Sequence, residues 1–267
     1  MINYDELPHN QILCIDMKSF YASCSAVMRG LDPMTCYLAV VGNKEQPGSI
    51  VLAASPRLKK EFGVKSASSR LFNIPDDKRI IIEEAKMSSY LKISTEIIKI
   101  FNKYAPMEDI HVYSVDESFI KVDGLKNLFG NAYTIAQMIK DEIYKNFGLP
   151  CTIGIGPNML MAKLALDLES KKVPSGIAVW TYEDIPTKLW PVSPLSEMWG
   201  IGRRMERNLN RMGIFNVGQL AKYPLEMLEK KFGIIGNQLY HHAWGVDLSD
   251  LGAPLLQGQI SYGKGQI

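Results

Sequence analysis

Two adjacent acids between two β-type runs constrain this chain more than any other stretch. Ile110-His111-Val112-Tyr113-Ser114-Val115 leads into Asp116-Glu117, and Ser118-Phe119-Ile120-Lys121-Val122 leads out. The β-branched and aromatic flanks read as strand, tight turn, strand. Acids at a β-turn are commonly solvated turn residues, so the pair alone decides nothing. A third acid changes the reading. Asp16 ends the apolar run Ile12-Leu13-Cys14-Ile15, which reads as a short buried strand.

The order of elements around these acids predicts where they go. Residues 87–104 carry Leu91, Ile97, Ile98 and Phe101 at a roughly helical period, and residues 131–147 carry Ile135, Met138, Ile139 and Ile143 on one side. With a last strand over 151–155, the pattern is β-α-β-β-α-β, the ferredoxin-like arrangement. In it the first and second strands run parallel, with the third between them and antiparallel. The end of the first strand then lies at the same sheet edge as the hairpin turn. Asp16 and Asp116, 100 positions apart, are predicted to converge there with Glu117. Three carboxylates at one edge repel unless a cation sits among them. Hard oxygen ligands suit Mg²⁺, which keeps waters and takes phosphate oxygens as further ligands. Two such ions can activate a hydroxyl and stabilise a leaving phosphate. The residues alone point to metal-assisted phosphoryl or nucleotidyl transfer.

At 267 residues the length allows more than one domain, and 46% hydrophobic with 22% charged is ordinary globular material. No apolar run is long enough to span a membrane, and the polar first ten residues hold no signal-peptide core. Cys14, Cys24, Cys36 and Cys151 show no C-x-x-C spacing, which argues against a zinc site or redox pair and for reduced thiols in a cytoplasmic protein. The histidines do not cluster with them. Net charge is only +2, but residues 55–79 and 200–231 each carry seven Lys/Arg against three acids. Basic faces beside an acidic metal site suit a polyanionic substrate, although a solvated charged face has the same composition.

Asp16-Met17-Lys18-Ser19-Phe20-Tyr21-Ala22-Ser23, expected to open a helix, resembles the first motif of the Y-family translesion DNA polymerases. Tyr113-Ser114-Val115-Asp116-Glu117 resembles their second. Both motifs, in order and on the expected elements, make the chain similar to the UmuC-like branch of that family, a bacterial group. The resemblance implies that Asp16, Asp116 and Glu117 are the catalytic carboxylates. Together with the Met17 carbonyl they would hold two Mg²⁺ ions. It also implies that Phe20 and Tyr21 lie at the dNTP site, with Tyr21 as a steric gate against a 2′-hydroxyl. Core packing is the other reading, and for Phe20 the better one.

Ser55 and Pro56 read as cap and first turn of a short helix stopped by Gly63. There the resemblance puts Lys60 on the triphosphate, with the role of Arg57 open. Asn158 is expected to cap a helix over about 159–169, a stretch similar to the family's N-x-x-x-A-K-x-A-x-x-x-[AS]-K, which would set Lys171 on the triphosphate from the other side. Met198-Trp199-Gly200-Ile201-Gly202-Arg203-Arg204 reads as a helix-hairpin-helix turn. Gly200 and Gly202 would let backbone amides approach a DNA phosphate, with Arg203 and Arg204 beside them. Lys18 and Ser25 depart from residues common in the family, but neither is a metal carboxylate.

The expected fold is α+β: a ferredoxin-like palm (1–19 and 87–176), small α/β fingers (20–86), an all-α helix-hairpin-helix thumb (177–245) and a linker (246–267). The linker would lead toward a little-finger domain that the chain lacks. The implied function is template-directed DNA synthesis of the low-fidelity, lesion-bypass type. Primer-template DNA and dNTP are the implied partners, with a sliding clamp reached through the missing region and no membrane. Two rivals share parts of the pattern. A nucleotide cyclase has the same palm but no duplex for the glycine hairpin to hold. A non-catalytic DNA-binding relative usually loses a carboxylate, and all three are present here.

Overall fold

The structure is a computed structural model and describes residues 2–251. Strand β1 (Ile12–Met17) is followed by helix α1 (Phe20–Met28) and strands β2 (Leu38–Val41) and β3 (Val51–Ala54). Then come α2 (Pro56–Phe62), β4 (Ile81–Glu84), α3 (Met87–Phe101), β5 (Ile110–Val112) and β6 (Glu117–Lys121). After α4 (Lys126–Phe129) follow α5 (Ala132–Phe147), β7 (Cys151–Gly156), α6 (Met159–Ala165) and β8 (Ile177–Val179). Helices α7 (Arg203–Asn210), α8 (Val217–Ala221), α9 (Leu225–Phe232) and α10 (Ile234–Ala243) complete the order.

The larger sheet has the order β5-β6-β1-β7-β8. β6 and β7 both run antiparallel to β1, and β5 antiparallel to β6. Its first four strands are therefore the ferredoxin-like arrangement predicted from the element order. Its fifth, β8, pairs parallel with β7 and is not visible in the sequence: three residues behind a Pro-Ser-Gly turn carry no period. A smaller sheet has the order β3-β2-β4. β4 is also missed from sequence, because Ile81-Ile82-Glu83-Glu84 lacks alternation.

Alternation along β1 divides its side chains between two cores. Leu13, Ile15 and Met17 face the cluster built by α3 and α5, with Ile97, Phe101, Ile135 and Ile139. Ile12 and Cys14 face a second cluster with Phe119, Ala162 and Leu166, beneath α6. Asp16, two residues beyond Cys14, belongs to this α6 side. The smaller sheet is cored separately, α1 packing Ala22 and Ala26 on Leu38 and Val40. The C-terminal helices share a fourth cluster, which includes Leu209, Leu228 and Leu239.

Local signals decide several boundaries. Asn158 accepts from the Met161 amide at 2.8 Å and caps as read, and Asn131 caps α5 in the same way, accepting from the Thr134 amide at 2.9 Å. Gly63 stops α2 with φ +67°. Ser55 stands at the cap position of α2, but its hydroxyl donates to the Cys36 carbonyl and accepts from the Leu38 amide instead. It ties α2 to β2 rather than capping the helix. The expected helix over 159–169 is α6 followed by a π turn, Leu166–Ser170. Of the expected linker, residues 252–267 lie outside the described residues. Among the described residues no helix is long and apolar enough to cross a membrane.

Helix α6 approaches β7 at a distance that only glycine tolerates. A Cβ on Gly154 would sit 2.1 Å from the Ala162 carbonyl oxygen and 2.2 Å from the Leu166 amide nitrogen. Both are backbone atoms, so neither can turn away. We expect Gly154→Ala to cost about 3 kcal/mol or more, the upper end for overpacking, read as a lowered urea midpoint. A cost below 1 kcal/mol would mean that α6 is free to shift.

Candidate active site

The hairpin and β1 bring the three acids to one sheet edge through the backbone. Asp16 is the Cα partner of Glu117 on one side and Thr152 on the other. The Met17 amide donates to the Asp116 carbonyl at 3.0 Å, so pairing persists to the turn. The turn is tight: the Tyr113 and Ser114 amides both donate to the Glu117 carbonyl, at 3.0 and 2.9 Å.

The carboxylate tips have separate partners. Asp16 Oδ2 lies 3.0 Å from Lys171 Nζ. Glu117 Oε1 lies 2.8 Å from Lys163 Nζ and accepts from the Cys14 thiol at 3.3 Å. Asp116 Oδ1 accepts from the Ser114 hydroxyl at 2.8 Å. Among the described residues no three His, Cys, Asp or Glu side chains gather into a metal cluster. The predicted convergence is thus present in the backbone, while the Asp16 and Glu117 side chains turn toward α6 and the turn after it and Asp116 stays with Ser114 in its own hairpin. The reason is electrostatic: Lys163 and Lys171 offer nearby positive charge to acids that would otherwise face each other.

Asp167 joins those two lysines. Its Oδ2 is 3.0 Å from Lys163 and its Oδ1 2.8 Å from Lys171. Glu117, Lys163, Asp167, Lys171 and Asp16 therefore form one chain of alternating charge. Burial raises the Asp16 carboxyl above its usual range; Lys171 opposes this, and Asp116 and Glu117 push it further up. Burial would lower the Lys171 ammonium, but Asp16 and Asp167 outweigh it and the group is raised. Lys163, whose side chain is only 10% exposed, is raised in the same way by Glu117 and Asp167 against burial.

Helix α1 supplies the aromatic side of the edge. Phe20 is buried and packs on Tyr21 and Tyr90. Tyr21 is half-buried and stacks on Tyr90, ring centroids 4.9 Å apart and 17° from parallel. Tyr90 is anchored by a 2.7 Å hydrogen bond with the Ser25 hydroxyl. Burial raises the Tyr21 phenol, with Asp116 as the next cause, so ring and acid are electrostatic neighbours. Tyr90 was not singled out from sequence, where it is one more apolar helix position.

On α2 two adjacent lysines, Lys59 and Lys60, are both exposed. Lys60 is exposed and makes no hydrogen bond or ion pair among the described residues. Lys59 donates to the Ser19 hydroxyl at 2.9 Å. Its ammonium is lowered by burial and by Lys171, with Asp16 opposing, which places it beside the acidic edge. Neighbouring helix positions point about 100° apart, and with Leu58 docked in the small core Lys59 reaches Ser19 while staying exposed. Arg57 is committed to Glu61 at 2.9 Å and lies over the Tyr37 ring.

The glycine hairpin stands near the acidic one. Trp199 packs against Tyr113 and Phe119, with centroids at 6.1 and 6.3 Å. Gly200 takes φ +91° and Gly202 precedes the first turn of α7. Arg203 and Arg204 are exposed there. Arg204, Arg207 and Arg211 line a cleft of about 270 Å³, and none of them pairs with a carboxylate among the described residues. A larger cavity of about 580 Å³, lined by Trp180, Tyr182 and Ile155, opens at the other end of β1 beside Gln11 and is remote from the acids.

Comparison with solved structures gives the class. The DinB structure from Sulfolobus solfataricus superposes with a TM-score of 0.72 at 24% identity, covering 88% of this chain and 67% of that one. A Y-family DNA polymerase chimera of Dbh and Dpo4 gives 0.76 at 23%, covering 90% and 69%. At such identities the likeness establishes the fold. The chain belongs to the impB/mucB/samB family, whose description matches residues 15–167; a DNA polymerase-iota thumb domain matches residues 196–247. UvrX of Bacillus subtilis strain 168, named for UV-damage repair, is 62% identical over 267 residues, all of this chain and 63% of the relative. DNA polymerase IV 2 of the same organism is 38% identical over 257 residues, 95% of this chain and 60% of the relative. The chain thus spans somewhat under two thirds of the length of these relatives.

All four thiols are free. Cys14, Cys24 and Cys151 are buried, and burial raises each, Cys24 and Cys151 to about 12. A thiol reagent in mildly alkaline buffer should therefore modify only half-buried Cys36 in the folded protein, and all four after denaturation. Rapid native labelling of Cys14 would contradict the packing of Glu117 described here.

Proposed function

We propose that the chain is the core of a template-directed DNA polymerase of the lesion-bypass type. It would act on primer-template DNA in the bacterial cytoplasm. The observation that carries this reading is the pairing of Asp16 with Glu117, and Asp116 at the adjoining turn, inside a family whose relatives bear polymerase and repair names. In the reaction a primer 3′-hydroxyl forms a bond to the α-phosphorus of a dNTP, and the bond to pyrophosphate breaks.

The donor set fits divalent cations of the Mg²⁺ class. It consists of hard oxygens; burial lifts Asp16 first and its neighbours Asp116 and Glu117 add to this, and a cation among the acids would relieve both. Asp16, Asp116, Glu117 and the Met17 carbonyl would hold two such ions. Their chemistry would be to favour the deprotonated hydroxyl and to stabilise charge on the leaving phosphate. Lys171 would meet the triphosphate on one side, and Lys60, or Lys59 by its place beside Ser19, on the other. Tyr21, braced by Tyr90, would exclude a 2′-hydroxyl. The Gly200 and Gly202 turn with Arg203 and Arg204 would hold duplex phosphates. A clamp contact, expected from the resemblance, falls outside the described residues.

Primer extension with Mg²⁺ and single dNTPs should succeed for the wild-type chain and fail for Asp116→Ala. Extension by the variant would remove the acids from the chemistry. A wild-type chain that binds Mg²⁺-dNTP but does not extend would favour a non-catalytic relative. Tyr21→Ala should raise ribonucleotide incorporation by about tenfold or more, the scale of one lost steric contact at a closed pocket. Unchanged sugar discrimination would return Tyr21 to core packing.

A further inference from the structure

The alternating chain through Asp167 has a consequence for how the site is loaded. Lys171 Nζ sits 3.0 Å from Asp16 Oδ2, and a cation bridging Asp16 and Asp116 needs that same carboxylate. Ammonium and metal therefore compete. Lys171 has a second carboxylate, Asp167, at 2.8 Å, so leaving Asp16 does not leave it unpaired. Asp167 is itself fixed by Lys163 at 3.0 Å, and Lys163 is fixed on Glu117. The lysine that must move is half-exposed, at 41%, whereas the one that anchors is buried, at 10%. The pivot lies in the π turn between α6 and Lys171, an irregularity that often marks functional sites.

We propose that Asp167 is a positioning residue, the pivot about which Lys171 exchanges Asp16 for a nucleotide phosphate as metal takes the carboxylate. The inference rests on the nucleotide reading above and adds to it a residue and an order of events. Lys171 is a placeholder that pairs with Asp16 and holds it turned toward α6. With a metal held at Asp16, Lys171 would keep Asp167 as its partner and be free to meet a nucleotide phosphate. Each half of the Lys171–Asp16 pair would thus exchange one partner of opposite charge for another.

Two binding measurements separate this from a purely structural role: Mn²⁺ alone by electron paramagnetic resonance, and a non-hydrolysable dNTP with Mn²⁺ by calorimetry. Lys171→Met should tighten Mn²⁺ alone by about fivefold, the scale of one half-exposed ion pair, while weakening the nucleotide analogue by about tenfold. Lys172→Met makes the same charge change on an exposed neighbour and controls for long-range electrostatics; it should move Mn²⁺ binding by less than twofold. Asp167→Asn should weaken Mn²⁺ alone, because Lys171 then has only Asp16, and this effect should vanish in the Lys171→Met background. Asp167→Glu should restore it. Equal effects of Lys171→Met and Lys172→Met, or an Asp167→Asn effect undiminished in the double variant, would overturn the pivot while wild-type nucleotide binding stands. Failure of the wild-type chain to bind the analogue at all would overturn the nucleotide reading and this inference together.

Discussion

The contact between α6 and β7 is the constraint on which the rest depends. Gly154 and Gly156 carry no side chains, so backbone meets backbone, and everything attached to α6 is brought to the sheet at a fixed distance. Lys163 then reaches Glu117, and the turn that follows sets Asp167 and Lys171 beside Asp16. The same contact roofs the second core, where Ile12, Cys14, Phe119, Ala162 and Leu166 meet. A bulkier β7 would leave the acids in place and remove their counter-charges.

That arrangement answers an energetic difficulty. Partly buried carboxylates at one edge are costly unless paired, and removing one partner from a buried pair typically costs about 3–5 kcal/mol. The chain neutralises its acids with lysines of its own fold. One lysine is locked and one is loosely held, and the difference follows from exposure. The aromatic side of the edge is built on the same plan: Tyr21 is held by Tyr90, and Tyr90 by Ser25, so a half-exposed group rests on a buried one.

The sequence was most legible where period and topology act together. The acidic hairpin, β1 and the two long helices follow from alternation and helical spacing, and the ferredoxin-like order then puts Asp16 beside Glu117. Motif resemblance supplied the small unit and the glycine hairpin. Less legible were features set by docking. Lys59 and Lys60 are adjacent identical residues, and their order in the chain does not show which of them bonds Ser19. Ser55 looks like a cap, but the passing β2 strand competes for its hydroxyl. β8 gains its pairing from β7 rather than from its own three residues. The carboxylate tips were read as gathered, because a sequence shows which charges lie at an edge and not which lysines arrive from a later helix. The i, i+4 spacing of Lys163, Asp167 and Lys171 was the available signal.

Strand β1 has one further property. From Ile12 to Met17 it is hydrogen-bonded on both sides, to β6 along its length as far as Asp16 and to β7 throughout. The outer strands β5 and β8 can fray one at a time, but β1 cannot part from the sheet without breaking two ladders at once. The first acid therefore rides on the middle strand of the sheet, while the basic surfaces sit on separately cored units.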